Sequence, residues 1–249
     1  MALDEIQMRI LQEVADLHTV PEGAYNIRSN GALAGRNSTA NIEIVSKPDG
    51  TGIDIHIKPG TKNESVHIPV VLSESGLKDV VYNDFFIGED ADVVIVAGCG
   101  IHNCGNQDSQ HDGVHRFFVG KNAKVKYVEK HYGEGDGTGK RILNPVTEVT
   151  MDQGSSMEME MVQIKGVDST VRTTRAVLAA DASMVVRERL MTHGEVHVGI
   201  ITGSSNVLCH SERIRGLCHT LETSYSRIQI AEILENHDDE FESYALTRE

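Results

Sequence analysis

The protein has no tryptophan and only five prolines, four cysteines, five phenylalanines and six tyrosines among its 249 residues. With so few aromatic side chains, aliphatic residues and methionine must fill the core. Four cysteines are too few for a disulfide scaffold, and they leave thiols available for metal or redox chemistry. The chain has 23 glycines, which supply many tight turns. This composition favours a regular, repetitive β architecture.

Positive charge is also scarce, since 23 basic residues face 37 acidic ones and the formal net charge is −14. That sign opposes the phosphate attraction on which most nucleic-acid binding depends. No apolar run approaches the roughly 18 to 20 residues of a membrane-spanning helix. The start, MALDEIQMRILQEV, lacks the basic and apolar regions of a secretory signal. We therefore expect a cytoplasmic protein that binds neither nucleic acid nor membrane.

Three regions are predicted along the chain. Residues 1–30 form an N-terminal amphipathic helix and a linker, because apolar residues recur at helical spacing before Pro21. Residues 31–230 consist of short β-branched runs separated by Gly, Asn or Asp, which is typical of strands. Residues 231–249 form an acidic C-terminal segment, for which a solvated tail is the expected structure.

An internal repeat occurs within the strand-rich region. Several stretches share a three-residue turn, a small residue, a polar residue and a strand; the small residues are Ala91, Ala123, Ser155 and Ala182, spaced 32, 32 and 27 apart. Two strands per unit and a recurring corner predict stacked coils, that is, a mainly β fold with a parallel β-helix (β-solenoid). An antiparallel β-sandwich or jelly roll is the alternative, but it gives no reason for a small residue to recur at one corner.

The glycine-rich stretch GEGDGTGK at residues 133–140 predicts a loop that projects from the stack. Its spacing fits neither the phosphate-binding loop of nucleotide hydrolases nor the dinucleotide-binding glycine motif.

A cluster of potential metal ligands lies around residue 100, in the sequence GCGIHNCGNQDSQHDGVH. Cys99, His102 and Cys104 are the candidate ligands, because thiolates and imidazoles bind zinc, copper(I) or iron–sulfur clusters. The spacing lacks the paired C-x-x-C of a zinc ribbon. A glycine-rich surface loop with incidental histidines is the alternative.

A second cluster contains two Cys-His pairs, Cys209-His210 and Cys218-His219. Neighbours on a strand face opposite sides, so the two members of one pair cannot hold the same ion. The nearby cations Arg213 and Arg215 favour a reactive thiolate, which argues against inert core cysteines. No G-x-S-x-G or H-E-x-x-H motif predicts acyl transfer or a zinc peptidase.

These motifs resemble the SufB/SufD family, the scaffold proteins of the Suf iron–sulfur cluster assembly system. Most similar are HRFFVGKNAKVKYVEKH from His115 and NVLCHSERIRGLCH from Asn206. The resemblance covers about residues 82 to 219. It implies a right-handed parallel β-helix, a complex with the ABC-type ATPase SufC, and a homo- or hetero-dimer of β-helices. The chain would then be a non-catalytic scaffold, with ATP hydrolysis in the partner.

The resemblance also implies a site for a transient iron–sulfur cluster. Cys209 matches the cysteine that accepts sulfur in the family, although the Leu208–Ser211 tetrapeptide keeps only the Cys and Ser of the family's Asn-Cys-Asp-Ser. Cys218 matches a second cysteine of some members. His219 falls two positions before the family's histidine and completes the predicted ligand set.

Two other functions fit the residues. A zinc- or copper-binding solenoid would use Cys99, His102 and Cys104 and would be indifferent to mutation of Cys209. A β-helix carbohydrate-active enzyme would cluster acids on one face and turn over without thiols; a shared solenoid does not imply shared function.

Overall fold

The computed structural model describes residues 3–17, 21–191, 197–203, 207–214, 217–223 and 228–234. The described chain is mainly β, with one short helix near its start, α1 (Glu5–Ala15). Of the predicted acidic segment 231–249, residues 231–234 are the end of a strand, and residues 235–249 lie outside the described residues.

The described strands form two sheets of nine strands each. In one sheet, eight strands follow one another in order, and the ninth is a short strand that pairs beside that order. Sheet A contains β1 (Ala24–Ser29), β2 (Ala32–Asn37), β5 (Lys62–Leu72), β7 (Asp92–His102), β9 (Lys124–Glu134), β12 (Ser156–Lys165), β14 (Ser183–Met191), β16 (Val207–Ile214) and β18 (Ile228–Leu234). Sheet B contains β3 (Ile42–Ser46), β4 (Gly52–Ile57), β6 (Lys78–Ile87), β8 (Ser109–Val119), β10 (Arg141–Leu143), β11 (Val146–Met151), β13 (Thr170–Leu178), β15 (His197–Gly203) and β17 (Leu217–Thr223).

The chain alternates between the sheets from β4 onward, apart from the short β10. Each strand pairs in parallel with the corresponding strand of the next coil, as in β7 with β9 and β6 with β8. Antiparallel pairing occurs only at the start of the described chain, in β1–β2 and β3–β4. The predicted parallel β-solenoid is confirmed, and the sandwich alternative is wrong because its strands would pair antiparallel. The strands begin at Ala24, inside the stretch predicted as helix and linker.

The predicted repeat corresponds to one corner of the solenoid. The small residues there are all buried, with relative exposures of 0 to 1%: Ala91, Ala123, Ser155 and Ala182. Each follows a residue with left-handed backbone: Asp90, Asn122, Gly154 and Asp181. The corner is continued by backbone hydrogen bonds, since the Lys124 amide donates to the Ala91 carbonyl and the Ser156 amide to the Ala123 carbonyl, each at 2.8 Å. A larger side chain would not fit between stacked corners.

Helix α1 packs on the outer face of sheet A, against β5, β7 and β9. Asp4 caps its first turn, and its apolar face buries Ile10 and Val14 completely. Two glycines of β7 permit the close approach. A Cβ at Gly98 would lie 2.4 Å from the Val14 carbonyl oxygen, and one at Gly100 would lie 2.0 Å from Ile10 Cγ2. Helix α1 is therefore packed onto the solenoid through a shared buried cluster.

The sequence predicts that the glycine-rich loop at 133–140 projects from the stack, and this prediction is wrong. The loop instead stacks on the corresponding loop of the preceding coil. The Gly137 amide donates to the Asn103 carbonyl at 3.1 Å, and the Gly139 amide donates to the Gly105 carbonyl at 3.0 Å. A Cβ at Gly139 would lie 2.0 Å from the Gln107 carbonyl oxygen. The glycines therefore serve close backbone packing between coils.

Candidate functional site

The interior between the sheets has an apolar half and a polar half. Near the corner, Phe85 and Phe117 stack with ring centroids 4.5 Å apart, and Tyr127 meets Phe117 edge-on at 4.9 Å. Further along the sheet A strands the inward side chains become polar or charged. Glu129 and His131 follow Tyr127 on β9, and both are at least 97% buried.

An ion network lies at the centre of the polar half. Arg172 Nη1 donates to Glu129 Oε2 at 2.7 Å, and Arg172 Nε lies 2.9 Å from Glu188 Oε1. The three side chains are only 3% exposed. Arg172 Nη2 also lies 3.3 Å from His131 Nδ1, while His131 Nε2 lies 2.9 Å from Glu129 Oε1. These partners fit a neutral His131 that donates from Nε2 and accepts at Nδ1.

The buried groups perturb one another's protonation. Burial raises the pKa of Glu129, but the charge of Arg172 and the hydrogen bond from His131 outweigh burial and hold that pKa below its ordinary range. Burial lowers the pKa of His131, and the attraction of Glu129 opposes this shift only in part. Burial likewise lowers the pKa of His115 to about 4. The network at neutral pH is therefore an ionised Arg–carboxylate set beside neutral histidines.

A cavity of about 20 Å³ adjoins this network. Its lining includes Cys99, His111, His115 and Asn83 together with Glu129 and His131. His115 Nδ1 is buried there without a hydrogen-bond partner, whereas His111 Nδ1 lies 3.1 Å from Asp79 Oδ2. The volume is enough for about one water molecule. Burial raises the pKa of the Cys99 thiol well above its ordinary value, so this cysteine is protonated.

The structure separates the three residues predicted as metal ligands into two environments. Cys99 faces the interior cavity and is 4% exposed. His102 lies at the end of β7, and the exposed Cys104 follows it. These two are in contact, with Cys104 Sγ 3.1 Å from His102 Nε2. Among the residues that the structure describes, no three His, Cys, Asp or Glu side chains are grouped as a metal site.

Glu134 joins the His102–Cys104 pair from the neighbouring strand. His102 and Glu134 are register partners of β7 and β9, and His102 Nδ1 lies 2.9 Å from Glu134 Oε1. Glu134 also accepts from the Tyr132 hydroxyl at 3.0 Å and pairs with Arg9 of α1. Burial raises the pKa of Glu134, but hydrogen bonds from Arg9, His102 and Tyr132 prevail and lower it. The carboxylate is therefore ionised at neutral pH.

The residues predicted as ligands of the iron–sulfur cluster belong to two consecutive strands. Cys209 is on β16 of sheet A and pairs with Val186 and Ile230; Val186 belongs to an inward column that contains Tyr127 and Met159. Cys218 and His219 are on β17 of sheet B. Through β15, Cys218 continues the register position of the exposed Val171, and His219 continues that of the buried Arg172.

Sequence reasoning missed the ion network and the role of Glu134. Glu129 and Arg172 are 43 positions apart, and a charged residue within a strand is usually solvent-facing. The available signal was the repeat register. Two positions beyond the inward Tyr127 is Glu129, which must also face inward on a regular strand.

Comparisons with known proteins found no counterpart. No protein-family model, curated protein or solved structure matches the chain. The resemblance to the SufB/SufD family stays a prediction. Across the described ranges, no helix has the length and apolar character needed to cross a membrane.

Proposed function

We propose that the protein is a non-catalytic scaffold for iron–sulfur cluster assembly, similar to SufB and SufD. It accepts sulfur and iron at Cys209, with Cys218 and His219 as further ligands. An ABC-type ATPase subunit hydrolyses ATP in the complex, and a second SufB/SufD-like β-helix pairs with this one.

The observation that supports this proposal is the coincidence of a parallel β-solenoid with cysteines on the consecutive strands β16 and β17. These strands lie near the same end of both described sheet orders. A permanent cluster is usually held by four cysteines. Two thiols per chain, completed by a histidine or a second subunit, suit a cluster that is built and then released.

Anaerobic reconstitution with ferrous iron and sulfide tests the proposal. The wild-type protein should develop a sulfur-to-iron charge-transfer band, and Cys209→Ser should lose most of it. Cys104→Ser is the matched control, because it removes an exposed thiol from another part of the stack and should keep the band. An equal band in wild type and Cys209→Ser would contradict the proposal.

The same samples distinguish an iron–sulfur scaffold from a zinc- or copper-binding protein. The contact between His102 and Cys104 favours that alternative. It requires stoichiometric metal in the purified protein, loss of that metal in His102→Gln, and no effect of Cys209→Ser.

The described surface gives little support to a carbohydrate-active enzyme. Its aromatic ladder on sheet B consists of His56, Phe86 and Phe118, with successive centroids 4.8 and 5.1 Å apart and planes within 10°. The stacked faces cover one another, whereas a sugar ring packs on an uncovered aromatic face.

The partner subunit is tested separately. An ABC-type ATPase subunit co-expressed with this chain should co-purify with it through size-exclusion chromatography. Elution of the two as separate species would contradict the proposed complex.

A further inference from the structure

A cysteine, a histidine and a glutamate form a continuous chain of contacts at the C-terminal ends of β7 and β9. Cys104 Sγ lies 3.1 Å from His102 Nε2, and His102 Nδ1 lies 2.9 Å from Glu134 Oε1. This is the order of a nucleophile, a base and a group that orients the base. We propose that Cys104 is a nucleophilic thiol that exchanges with accessible disulfides, with His102 as its proton acceptor and Glu134 as the positioning residue.

The partners determine which ring nitrogen of His102 accepts the thiol proton. An ionised carboxylate only accepts hydrogen bonds, so the contact with Glu134 places the hydrogen on Nδ1. The lone pair of Nε2 then faces Cys104 Sγ. The Asp136 carboxylate accepts a hydrogen bond from the thiol, which lowers the pKa of Asp136. The single thiol hydrogen can point to the Asp136 carboxylate or to His102 Nε2, and His102 takes the proton when the hydrogen points to Nε2.

Glu134, which orients the base His102, is itself held in place by three neighbours. Glu134 is fixed by Arg9 of α1, by the Tyr132 hydroxyl and by its strand register with His102. The carboxylate is only 17% exposed, as is the His102 side chain. In contrast, Cys104 itself is exposed. The arrangement therefore combines a positioned base with a thiol that an external reagent can reach.

The surroundings favour an electrophilic sulfur over a carbonyl as the substrate. Acyl transfer needs free donors for the oxyanion of the tetrahedral intermediate. The neighbouring Gly105 amide donates to Asn103 Oδ1 at 3.0 Å, and the Gly137 amide donates to the Asn103 carbonyl at 3.1 Å. In disulfide exchange the charge passes to the leaving sulfur, and no oxyanion forms.

The exchange balances without any further reactant. His102 Nε2 takes the thiol proton, and the Cys104 thiolate attacks one sulfur of R–S–S–R. A Cys104–S–S–R bond forms while the R–S bond of the reagent breaks, and R–S⁻ leaves with the electron pair. His102 then returns the proton to R–S⁻, giving R–SH.

The neutral disulfide 4,4′-dithiodipyridine is a suitable probe for the full-length protein, because it avoids the repulsion that an anionic reagent would meet at net charge −14. Cys104 should contribute one thiol equivalent to the fast phase, and Cys104→Ser should lower the amplitude of that phase by one equivalent per chain. At neutral pH, His102→Gln should slow the phase by about a hundredfold, at the lower end of general-base effects. His56→Gln is the matched control and should react like wild type. An unchanged fast-phase amplitude in Cys104→Ser, or an unchanged rate in His102→Gln, would overturn the proposal.

The positioning role of Glu134 has a readout in the pH profile of the fast phase. Glu134→Gln keeps the side-chain shape but removes the negative charge beside His102, so the profile should move and the rate at neutral pH should fall. Glu148→Gln, an acid on the outer face of sheet B, should leave the profile unchanged. A Glu134→Gln profile that coincides with wild type would contradict this role. The result is independent of Cys209→Ser, which tests the scaffold proposal alone.

Discussion

The two halves of the solenoid interior are built from opposite kinds of residue on the same strands. On β9, Val125 and Tyr127 face an apolar stack, whereas Glu129 and His131 face ions and imidazoles. Burial of apolar area stabilises the first half directly. In the second half, desolvation of the charges offsets much of their attraction. The comparison teaches that the corner half supplies most of the stability, while the polar half is the more sensitive to loss of a single partner.

Removal of Arg172 should have the largest effect. Arg172→Met leaves Glu129 and Glu188 buried without their cation, and the free energy of unfolding should fall by about 3–5 kcal/mol. Urea denaturation monitored by circular dichroism measures this loss. The triple variant Glu129→Met, Arg172→Met and Glu188→Met removes all three charges and should recover most of the stability. A single Arg172→Met variant as stable as wild type would contradict the network's arrangement.

In the apolar half, Met159→Ala should cost less than Arg172→Met. Met159 is fully buried, and truncation of a core methionine costs about 2–5 kcal/mol, depending on how far the cavity relaxes. Val177→Ala on the outer face is the control, because Val177 is 62% exposed and should change the stability little. Equal denaturation midpoints for Met159→Ala and Val177→Ala would show that the corner half is not the stabilising one.

Acid should weaken the polar half selectively. Burial lowers the pKa of His115 from 6.5 to about 4 in the folded protein, so the unfolded chain binds the proton more tightly. Stability is therefore fully present above pH 6.5 and falls as the pH drops toward 4. His115 alone should cost about 2 kcal/mol between pH 7 and pH 5. Denaturation at both values measures this slope, and His115→Gln should flatten it; an identical slope in the variant would contradict the assignment.

The outer aromatic ladder should matter least. Phe118 is 41% exposed and stacks on Phe86 across the strands. Phe118→Ala should lower the free energy of unfolding by about 0.5–1.5 kcal/mol. A loss as large as that of Met159→Ala would place this outer face among the stabilising elements.

The sequence predicted the corner half well and the polar half poorly, for one physical reason. At the corner the constraint is local, because a left-handed residue and a small residue recur in each coil and are visible in a single strand. The polar half depends on long-range register. Glu134 meets His102 32 positions earlier, and Arg172 meets Glu129 43 positions earlier. Candidate cysteines could be chosen from residue type, but their division into Cys99 inside and Cys104 outside required the folded chain.

The most direct test of the scaffold account is the iron and acid-labile sulfide bound per chain after anaerobic reconstitution and desalting. The account predicts both elements in near-equal amounts in wild type and in Cys99→Ala, because Cys99 is a buried, protonated thiol. It predicts loss of both in Cys209→Ser. Iron and sulfide retained in full by Cys209→Ser, or absent from wild type, would contradict it.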